Sequence, residues 1–221
     1  MTRKTAVLVA VLVSAAALTV FVAGSAFAQT PYGGWGPGSM MGGFGGGMMG
    51  GAGGMMGGQT GGPVQSTSPS AARALSQQAA ATATIDRQTN TITYHGAQVQ
   101  IVALASPDTG PDMTWNVDGL VNPTIVIPKG AAVTVDFFNA DTGTMHGWEL
   151  TATPPPYQSM AMMYAAVALP GAFTMPVAPP TAQTWFGRTV QFTIPNPGTF
   201  YYICPVPGHA QKGMYGQLIV R

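Results

Sequence analysis

One stretch near the end of the chain carries a cysteine, a histidine and a methionine at the spacing C-x4-H-x4-M: Cys204, His209 and Met214. It contains the only cysteine of the 221-residue chain and one of its three histidines. Apolar, strand-like runs flank it at residues 199–203 and 215–220. Because the cysteine ends one run and the methionine begins the next, we expect the three side chains to surround one point at the end of a β-hairpin.

A thiolate, an imidazole and a thioether form a soft ligand set that suits copper in both Cu(I) and Cu(II). A type 1 copper site needs one further imidazole to complete a His2Cys plane, with methionine as a weak axial ligand. Each residue also has a simpler explanation: Cys204 as a buried thiol, His209 as a loop residue and Met214 as a core side chain. Their joint spacing between two strands favours one copper ion.

Two histidines remain as candidates for the second imidazole. His95 precedes Gly96 in a tight turn, which favours a solvated side chain. His146 follows the turn-forming Asp-Thr-Gly at 141–143 and begins a possible strand over 146–151. A strand end on the opposite side of a sheet suits the missing ligand, so the position predicts His146 rather than His95.

From residue 84 onward, short β runs alternate with turns that contain proline or glycine. In residues 132–139, Val133, Val135 and Phe137 alternate with polar residues, the period of a half-buried strand. Eight or so such runs predict an all-β, antiparallel sandwich or barrel. The other runs are 91–94 and 99–102, expected to form a hairpin, and 113–117, 124–127, 146–151, 189–194, 199–203 and 215–220.

Residues 1–28 have the features of a secretory signal peptide: a basic start, an apolar run over 6–22 and the small-x-small pattern Ala26-Phe27-Ala28. The alternative is an uncleaved membrane anchor, for which the apolar run is at the short edge. In both cases the folded part is expected outside the cytoplasm, and the chain contacts the membrane only if the segment is uncleaved.

Residues 29–70 are rich in glycine and contain repeated Met-Met pairs, with few large apolar residues, which predicts a disordered linker. This linker is either a flexible tether or a tail that collects Cu(I) through its thioethers. Residues 71–83 are rich in alanine and glutamine and favour a short helix, with Ser70 as its N-cap. The folded domain is expected over 84–221.

Charged residues make up 7% of the chain, and the formal net charge is +1. The absence of a basic stripe in the sequence argues against nucleic acid as a partner. Fewer ion pairs are lost when carboxylates protonate, so we expect stability to depend only weakly on pH in acid.

Several stretches of the sequence are similar to those of a known protein family: 91–94, 122–124, 127–131, 133–135, 155–157 and 198–214. Over residues 84–221 the chain resembles the rusticyanin-like type 1 (blue) copper proteins of the cupredoxin family. The resemblance implies a Greek-key β-sandwich of about eight strands that holds one copper ion, with His146, Cys204, His209 and Met214 as ligands. It also implies a periplasmic or extracytoplasmic electron carrier that exchanges single electrons with c-type cytochromes or a terminal oxidase of a respiratory chain.

The chain departs from the family at one position next to a predicted ligand. Cupredoxins usually carry asparagine or serine after the first histidine, and that polar side chain helps to tie the ligand loops together. This chain has Gly147 there.

Two other classes of function compete with electron transfer. A copper storage or delivery protein would use the methionine-rich residues 29–70 and bind several Cu(I) ions. A multicopper oxidase or nitrite reductase needs more histidines than three, and a binuclear copper site of oxidase subunits needs a second cysteine. The composition therefore indicates that the protein is not an enzyme.

Overall fold

Two six-stranded β-sheets face each other in the computed structural model, which describes residues 62–221. In chain order the elements are β1 (Gln65–Thr67), α1 (Pro69–Ala80), β2 (Ala83–Asp86), β3 (Thr91–Tyr94), β4 (Gln98–Ala105), β5 (Trp115–Val117), β6 (Leu120–Val121), β7 (Thr124–Ile127), β8 (Ala132–Asn139), β9 (Glu149–Thr151), α2 (Ala161–Tyr164), β10 (Trp185–Thr193), β11 (Gly198–Ile203) and β12 (Tyr215–Val220). Neither helix in this part of the chain has the length and apolar character needed to cross a bilayer.

The first sheet has the strand order β1-β10-β8-β4-β5-β6, and the second has the order β2-β3-β7-β12-β11-β9. From β6 to β11 each strand lies in the opposite sheet from the one before it, so these connections cross between the sheets, as is common in Greek-key sandwiches. The predicted all-β Greek-key sandwich is therefore confirmed. Its twelve strands exceed the expected eight or so because β1, β2 and β6, which are two to four residues long, were not among the predicted runs. Three strand pairs, β4–β8, β3–β7 and β7–β12, are parallel rather than antiparallel.

The main core lies between the two sheets and contains the alternating residues of β8. Val133, Val135 and Phe137 are at most 1% exposed, as the sequence pattern predicted. The edge of Trp115 packs against the ring of Phe137 with centroids 5.6 Å apart. The central strand is fixed on both sides, by an eight-residue parallel ladder with β4 and an eight-residue antiparallel ladder with β10. The strand end at Asn139 is therefore a firm starting point for the loop that follows it.

The helix α1 covers the outer face of the first sheet. It begins two residues earlier than predicted, because the side chain of Ser68 rather than Ser70 accepts the backbone N–H of Ala71 at 3.1 Å. Proline at its first position suits a helix start, because the backbone N–H of that position would have no acceptor within the helix and proline therefore loses no hydrogen bond there. Its buried side chains belong to a second apolar cluster that contains Ala72, Ala79, Val102, Leu104, Phe138, Ala140 and Trp185.

The boundary expected at residue 70 differs from the structure. Strand β1 pairs with β10, and its Gln65 side chain donates a hydrogen bond to Thr189 Oγ1 at 2.7 Å, so residues 65–70 are ordered parts of the sandwich. The predicted signal peptide over 1–28 and the predicted disordered linker up to residue 61 lie outside the described residues.

The expected hairpin between residues 91–94 and 99–102 is wrong. Strand β3 pairs with β2 and β7 in the second sheet, whereas β4 pairs with β5 and β8 in the first. Both runs have good strand patterns, but the apolar faces of both are buried in the same core from opposite sides. His95 and Gly96 therefore form a crossing between the sheets, which local sequence cannot distinguish from a hairpin turn.

A segment that includes α2 covers the outer face of the second sheet close to its end. Its buried residues Tyr157, Ala161 and Ala165 pack with Ile203 of β11 and with Ala210. The rings of Tyr157 and Tyr215 meet edge to face, with centroids 5.3 Å apart. We refer to residues 155–165 as the flap. The flap is a packed part of the connection between β9 and β10.

Glu149 in β9 is a carboxyl group that this arrangement buries. It is 1% exposed, and within residues 62–221 neither of its carboxyl oxygens has a hydrogen-bond partner. Burial raises the pKa of Glu149 to about 7, because the charged form loses its hydration inside the protein. The folded protein therefore keeps this carboxyl neutral in acid.

The raised pKa predicts a stability change with a definite sign. From pH 4.5 to about 7 the unfolded chain ionises Glu149 while the folded protein retains the proton, so its contribution to stability is complete below pH 4.5 and is lost towards pH 7. In Glu149→Gln we expect the free energy of unfolding, relative to wild type, to increase by about 3 kcal/mol over this range. The free energy of unfolding of both proteins is measured with denaturant at each pH. In the difference between them, the contributions of the other titrating groups cancel. A difference that does not change with pH would contradict the prediction.

Candidate metal centre

Three of the four predicted ligands meet at one end of the sandwich. Cys204 Sγ lies 3.6 Å from His146 Nδ1 and 3.4 Å from His209 Nδ1, and the two Nδ1 atoms are 3.1 Å apart. His146 and Cys204 are fully buried, and His209 is 6% exposed. Within the described residues these three form a group that could hold a metal ion.

The loop between β11 and β12 places Cys204, His209 and Met214. The strands pair up to Ile203 and Tyr215, and the N–H of Cys204 then donates to the carbonyl of Met214 at 3.1 Å. Inside the loop, the N–H of Met214 donates to the carbonyl of His209 at 3.0 Å. Two glycines in the left-handed region, Gly208 (φ 84°) and Gly213 (φ 107°), allow the tight path. The C-x4-H-x4-M spacing thus corresponds to a closed loop at a strand-pair end.

Met214 is fully buried in the main core, next in the chain to the first residue of β12. Its backbone contacts to Cys204 and His209 hold it beside both of these residues. It is therefore placed in the core at the end of the sandwich where the histidine–cysteine group lies, and its role as the axial ligand stays a prediction.

His146 reaches the same point from a loop that is distant in the sequence. It lies seven residues after the end of β8 and forms an isolated bridge with Val177, with N···O distances of 3.3 and 2.8 Å. The strand expected to begin at His146 begins instead at Glu149. His95, the other candidate, is exposed in the crossing after β3, with its Nε2 3.0 Å from Thr84 Oγ1, and takes no part in the group.

The spacing of the three donor atoms suits a metal in a plane. Bonds of about 2.3 Å to sulfur and about 2.0 Å to nitrogen, the values for zinc, separate donors in a trigonal plane by about 3.5 to 3.7 Å. The observed separations of 3.1 to 3.6 Å are close to these values. Two imidazoles and one thiolate form the trigonal set found in blue copper sites.

Comparison with known proteins connects this geometry to a family. No family model matches the chain. Rusticyanin of Acidithiobacillus ferridurans is 38% identical over 132 residues, which cover 60% of this chain and 68% of that protein. Auracyanin-B of Chloroflexus aurantiacus is 31% identical over 102 residues, or 42% of this chain and 43% of that protein. The structure of rusticyanin from Thiobacillus ferrooxidans has a TM-score of 0.63 at 31% identity, covering 72% of this chain and 97% of the other.

The chain belongs to the rusticyanin-like cupredoxins. A cupredoxin of this type is a blue copper electron carrier with one type 1 copper ion, and the histidine–cysteine group of this chain fits that metal.

Burial sets the protonation of the site residues in this cupredoxin. It raises the pKa of the Cys204 thiol to about 12, although hydrogen bonds from the N–H groups of Gly147 and Val206 oppose the rise. Burial also lowers the pKa of His209 to about 4, with smaller contributions from His146 and Lys212. It lowers the pKa of His146 as well, against the opposing effect of Asp141. At neutral pH both imidazoles can therefore offer a lone pair, while the thiol must lose its proton to become a ligand.

The glycine that departs from the cupredoxin pattern lies where a side chain has no space. A Cβ atom at Gly147 would be 3.0 Å from the carbonyl oxygen of Thr174 and 3.1 Å from Cγ of Pro205. The backbone that follows His146 is held by Thr174, which is fully buried. Its hydroxyl accepts the N–H of Trp148 at 2.8 Å, and its own N–H donates to the carbonyl of Trp148 at 2.7 Å.

Two residues around this centre were not predicted from the sequence. Thr174 lies in a segment rich in proline and alanine that has no periodic pattern, so nothing local indicates its contact with Trp148. Asp141 was interpreted only as a turn residue, yet its Oδ2 lies 2.9 Å from Nε2 of His146. An aspartate in a turn shortly before a predicted histidine ligand is the signal that could have indicated this pair.

The protonation states predict how copper binding depends on pH. At pH 7 we expect the release of about one proton per copper, because Cys204 loses its proton and both imidazoles are already neutral. Near pH 4 the release should increase, since His209 then begins to carry a proton in the copper-free protein. Titration calorimetry in two buffers with different ionisation enthalpies measures this number. A binding reaction that releases no proton at pH 7 would contradict the assignment of Cys204 as a ligand.

Proposed function

We propose that this cupredoxin carries single electrons outside the cytoplasm, with its copper ligated by His146, Cys204, His209 and Met214. The observation that supports this proposal best is the mutual distance of 3.1 to 3.6 Å between the three buried donor atoms. A site arranged in this way needs little rearrangement when the charge of the metal changes. We also propose that the protein is not an enzyme, because three histidines are too few for the further copper ions of an oxidase.

Bound copper supplies a one-electron couple between Cu(I) and Cu(II). The protein holds the donors in place: the N–H of Cys204 and the carbonyl of Met214 close the loop, and the bridge to Val177 fixes His146. The N–H groups of Gly147 and Val206 point at Sγ of Cys204 and stabilise its negative charge. Apolar side chains of the main core surround the sulfur and exclude water. Transfer then proceeds without bonds forming or breaking in the protein.

The surface near the metal site suggests where a redox partner docks. Residues 142–187 contain one charged side chain, Glu149, and it is buried. The same stretch exposes five methionines: Met145, Met160, Met162, Met163 and Met175. The flap lies against the ligand loop, since the N–H of Gly208 donates to the carbonyl of Ser159 at 2.6 Å. We call the exposed part of residues 142–187 the methionine face.

The apolar patch expected from the ligand loop itself is smaller. Pro205 and Ala210 are buried, so within this loop only Val206 and Pro207 of the expected patch reach the surface. An uncharged face of this kind suits brief contacts, and weak redox encounters bury little area. We propose a c-type cytochrome or a terminal oxidase as the partner and a periplasmic or other extracytoplasmic location.

The first test is the absorption spectrum of the copper-loaded protein. We expect one copper per chain and an intense visible band from the bond between Cys204 and the metal, and in Cys204→Ser we expect that band to be lost. Exposed thioethers could also bind Cu(I), so copper content is measured along with the spectrum. Several copper ions per chain and no intense band would favour storage or delivery and would contradict the carrier.

The second test places a charge on the methionine face. Met163 is 70% exposed in α2, and Met163→Glu should slow electron exchange with a c-type cytochrome at least severalfold, because the new carboxylate must be dehydrated on docking. The visible spectrum should not change. Thr193→Glu is the matched control, since exposed Thr193 pairs with Ala132 at the opposite end of β8 from Asn139. Equal rates in the two variants would show that the methionine face is not the docking site.

A further inference from the structure

Asp141 and His146 form a close pair behind the proposed copper ligands. Oδ2 of the carboxylate lies 2.9 Å from Nε2 of the ring, with the imidazole side chain 0% exposed and the Asp141 side chain 13% exposed. On the other edge of the same ring, Nδ1 faces Cys204 and His209. The ring therefore lies between a carboxylate on one side and the donor atoms on the other.

The charge of the pair decides which ring nitrogen carries the proton. One oxygen of the Asp141 carboxylate lies against Nε2 of His146, and the other accepts the N–H of Gly143. An ionised carboxylate only accepts hydrogen bonds, so Nε2 of His146 must be the donor. A neutral imidazole has one N–H, so a proton on Nε2 leaves the lone pair on Nδ1, the atom that faces Cys204.

Asp141 is itself held in place by the loop around it. Its Oδ1 accepts the N–H of Gly143 at 2.6 Å, and its own N–H donates to Oδ1 of Asn139 at 2.9 Å. The buried amide of Asn139 donates in turn to the carbonyls of Thr144 at 2.9 Å and Ala178 at 3.0 Å. Because one carboxylate oxygen closes the turn and the other reaches His146, the negative charge has a fixed position.

We infer that Asp141 is a positioning residue that selects Nδ1 of His146 as the ligand atom and lowers the reduction potential of the copper centre. A carboxylate on the outer nitrogen of a ligand imidazole increases the basicity of the ring. The more basic ring stabilises Cu(II) more than Cu(I), because Cu(II) has the higher charge. The electron comes from the redox partner, and no proton or bond moves within the pair. The inference rests on the proposed ligation by His146.

A second carboxylate in the same region provides a matched control. Asp112 also acts electrostatically on His146 and His209, but it is exposed and its Oδ1 accepts the N–H of Met113. Asp112→Asn removes one negative charge and no hydrogen bond to a ligand. Asp141→Asn removes the same charge and keeps an acceptor oxygen of similar size next to Nε2. The pair of variants separates the general effect of charge from the effect of this contact.

The experiment measures the reduction potential of the copper-loaded full chain by spectroscopic redox titration. In Asp141→Asn we expect the equilibrium to move about tenfold towards Cu(I), an increase of about 59 mV for one electron, with the visible band retained. In Asp112→Asn we expect a much smaller increase. An unchanged potential in Asp141→Asn, or equal shifts in the two variants, would overturn the inference. A wild-type protein without the visible band would instead contradict the proposed function.

The proton position is tested separately by long-range proton–nitrogen NMR of the copper-free protein. We expect the proton of His146 on Nε2 in the wild type, and in Asp141→Ala we expect a mixture of tautomers. A wild-type proton on Nδ1, or a tautomer that does not change in Asp141→Ala, would overturn the inference. Because the NMR experiment uses copper-free protein, it tests the role of Asp141 even if Asp141→Asn fails to bind copper.

Discussion

The hydrogen bond between the N–H of Cys204 and the carbonyl of Met214 closes the ligand loop, and the geometry of the site depends on it. It extends the β11–β12 ladder by one step, so the side chains on either side of the loop are fixed by the strands. The strand β12 is in turn held by β7 in the middle of the second sheet. A loop in this position cannot move without disturbing the ladder, which is why its donor atoms stay close together.

The second constraint is burial. A thiol and two imidazoles are enclosed in an apolar core, where ionisation is unfavourable without a compensating charge. The compensating groups differ from one donor residue to the next. Backbone N–H groups face the sulfur of Cys204, and a carboxylate faces the outer nitrogen of His146, whereas His209 lies at the surface edge of the site near Lys212. The two histidines therefore have different electrostatic surroundings.

Much of this architecture can be predicted from sequence because it depends on local patterns. The alternation in Ala132–Asn139 predicted β8 with its correct bounds, and one loop spacing predicted that Cys204, His209 and Met214 lie at the same end of the sandwich. Contacts between sheets could not be found in this way. The crossing at His95 has the same local signals as a hairpin, and the buried hydroxyl of Thr174 contacts Trp148 across 26 residues. Such contacts depend on how the two sheets stack, which no short segment specifies.

The uncharged methionine face has a consequence for the conditions in which the protein can work. Salt weakens attraction between charged surfaces, and acid removes it when carboxylates become neutral. The methionine face has no exposed acidic or basic side chain on which either effect could act. A partner that docks on this face, as proposed above, would therefore meet thioethers and other apolar groups whose contacts depend little on ionic strength or acidity.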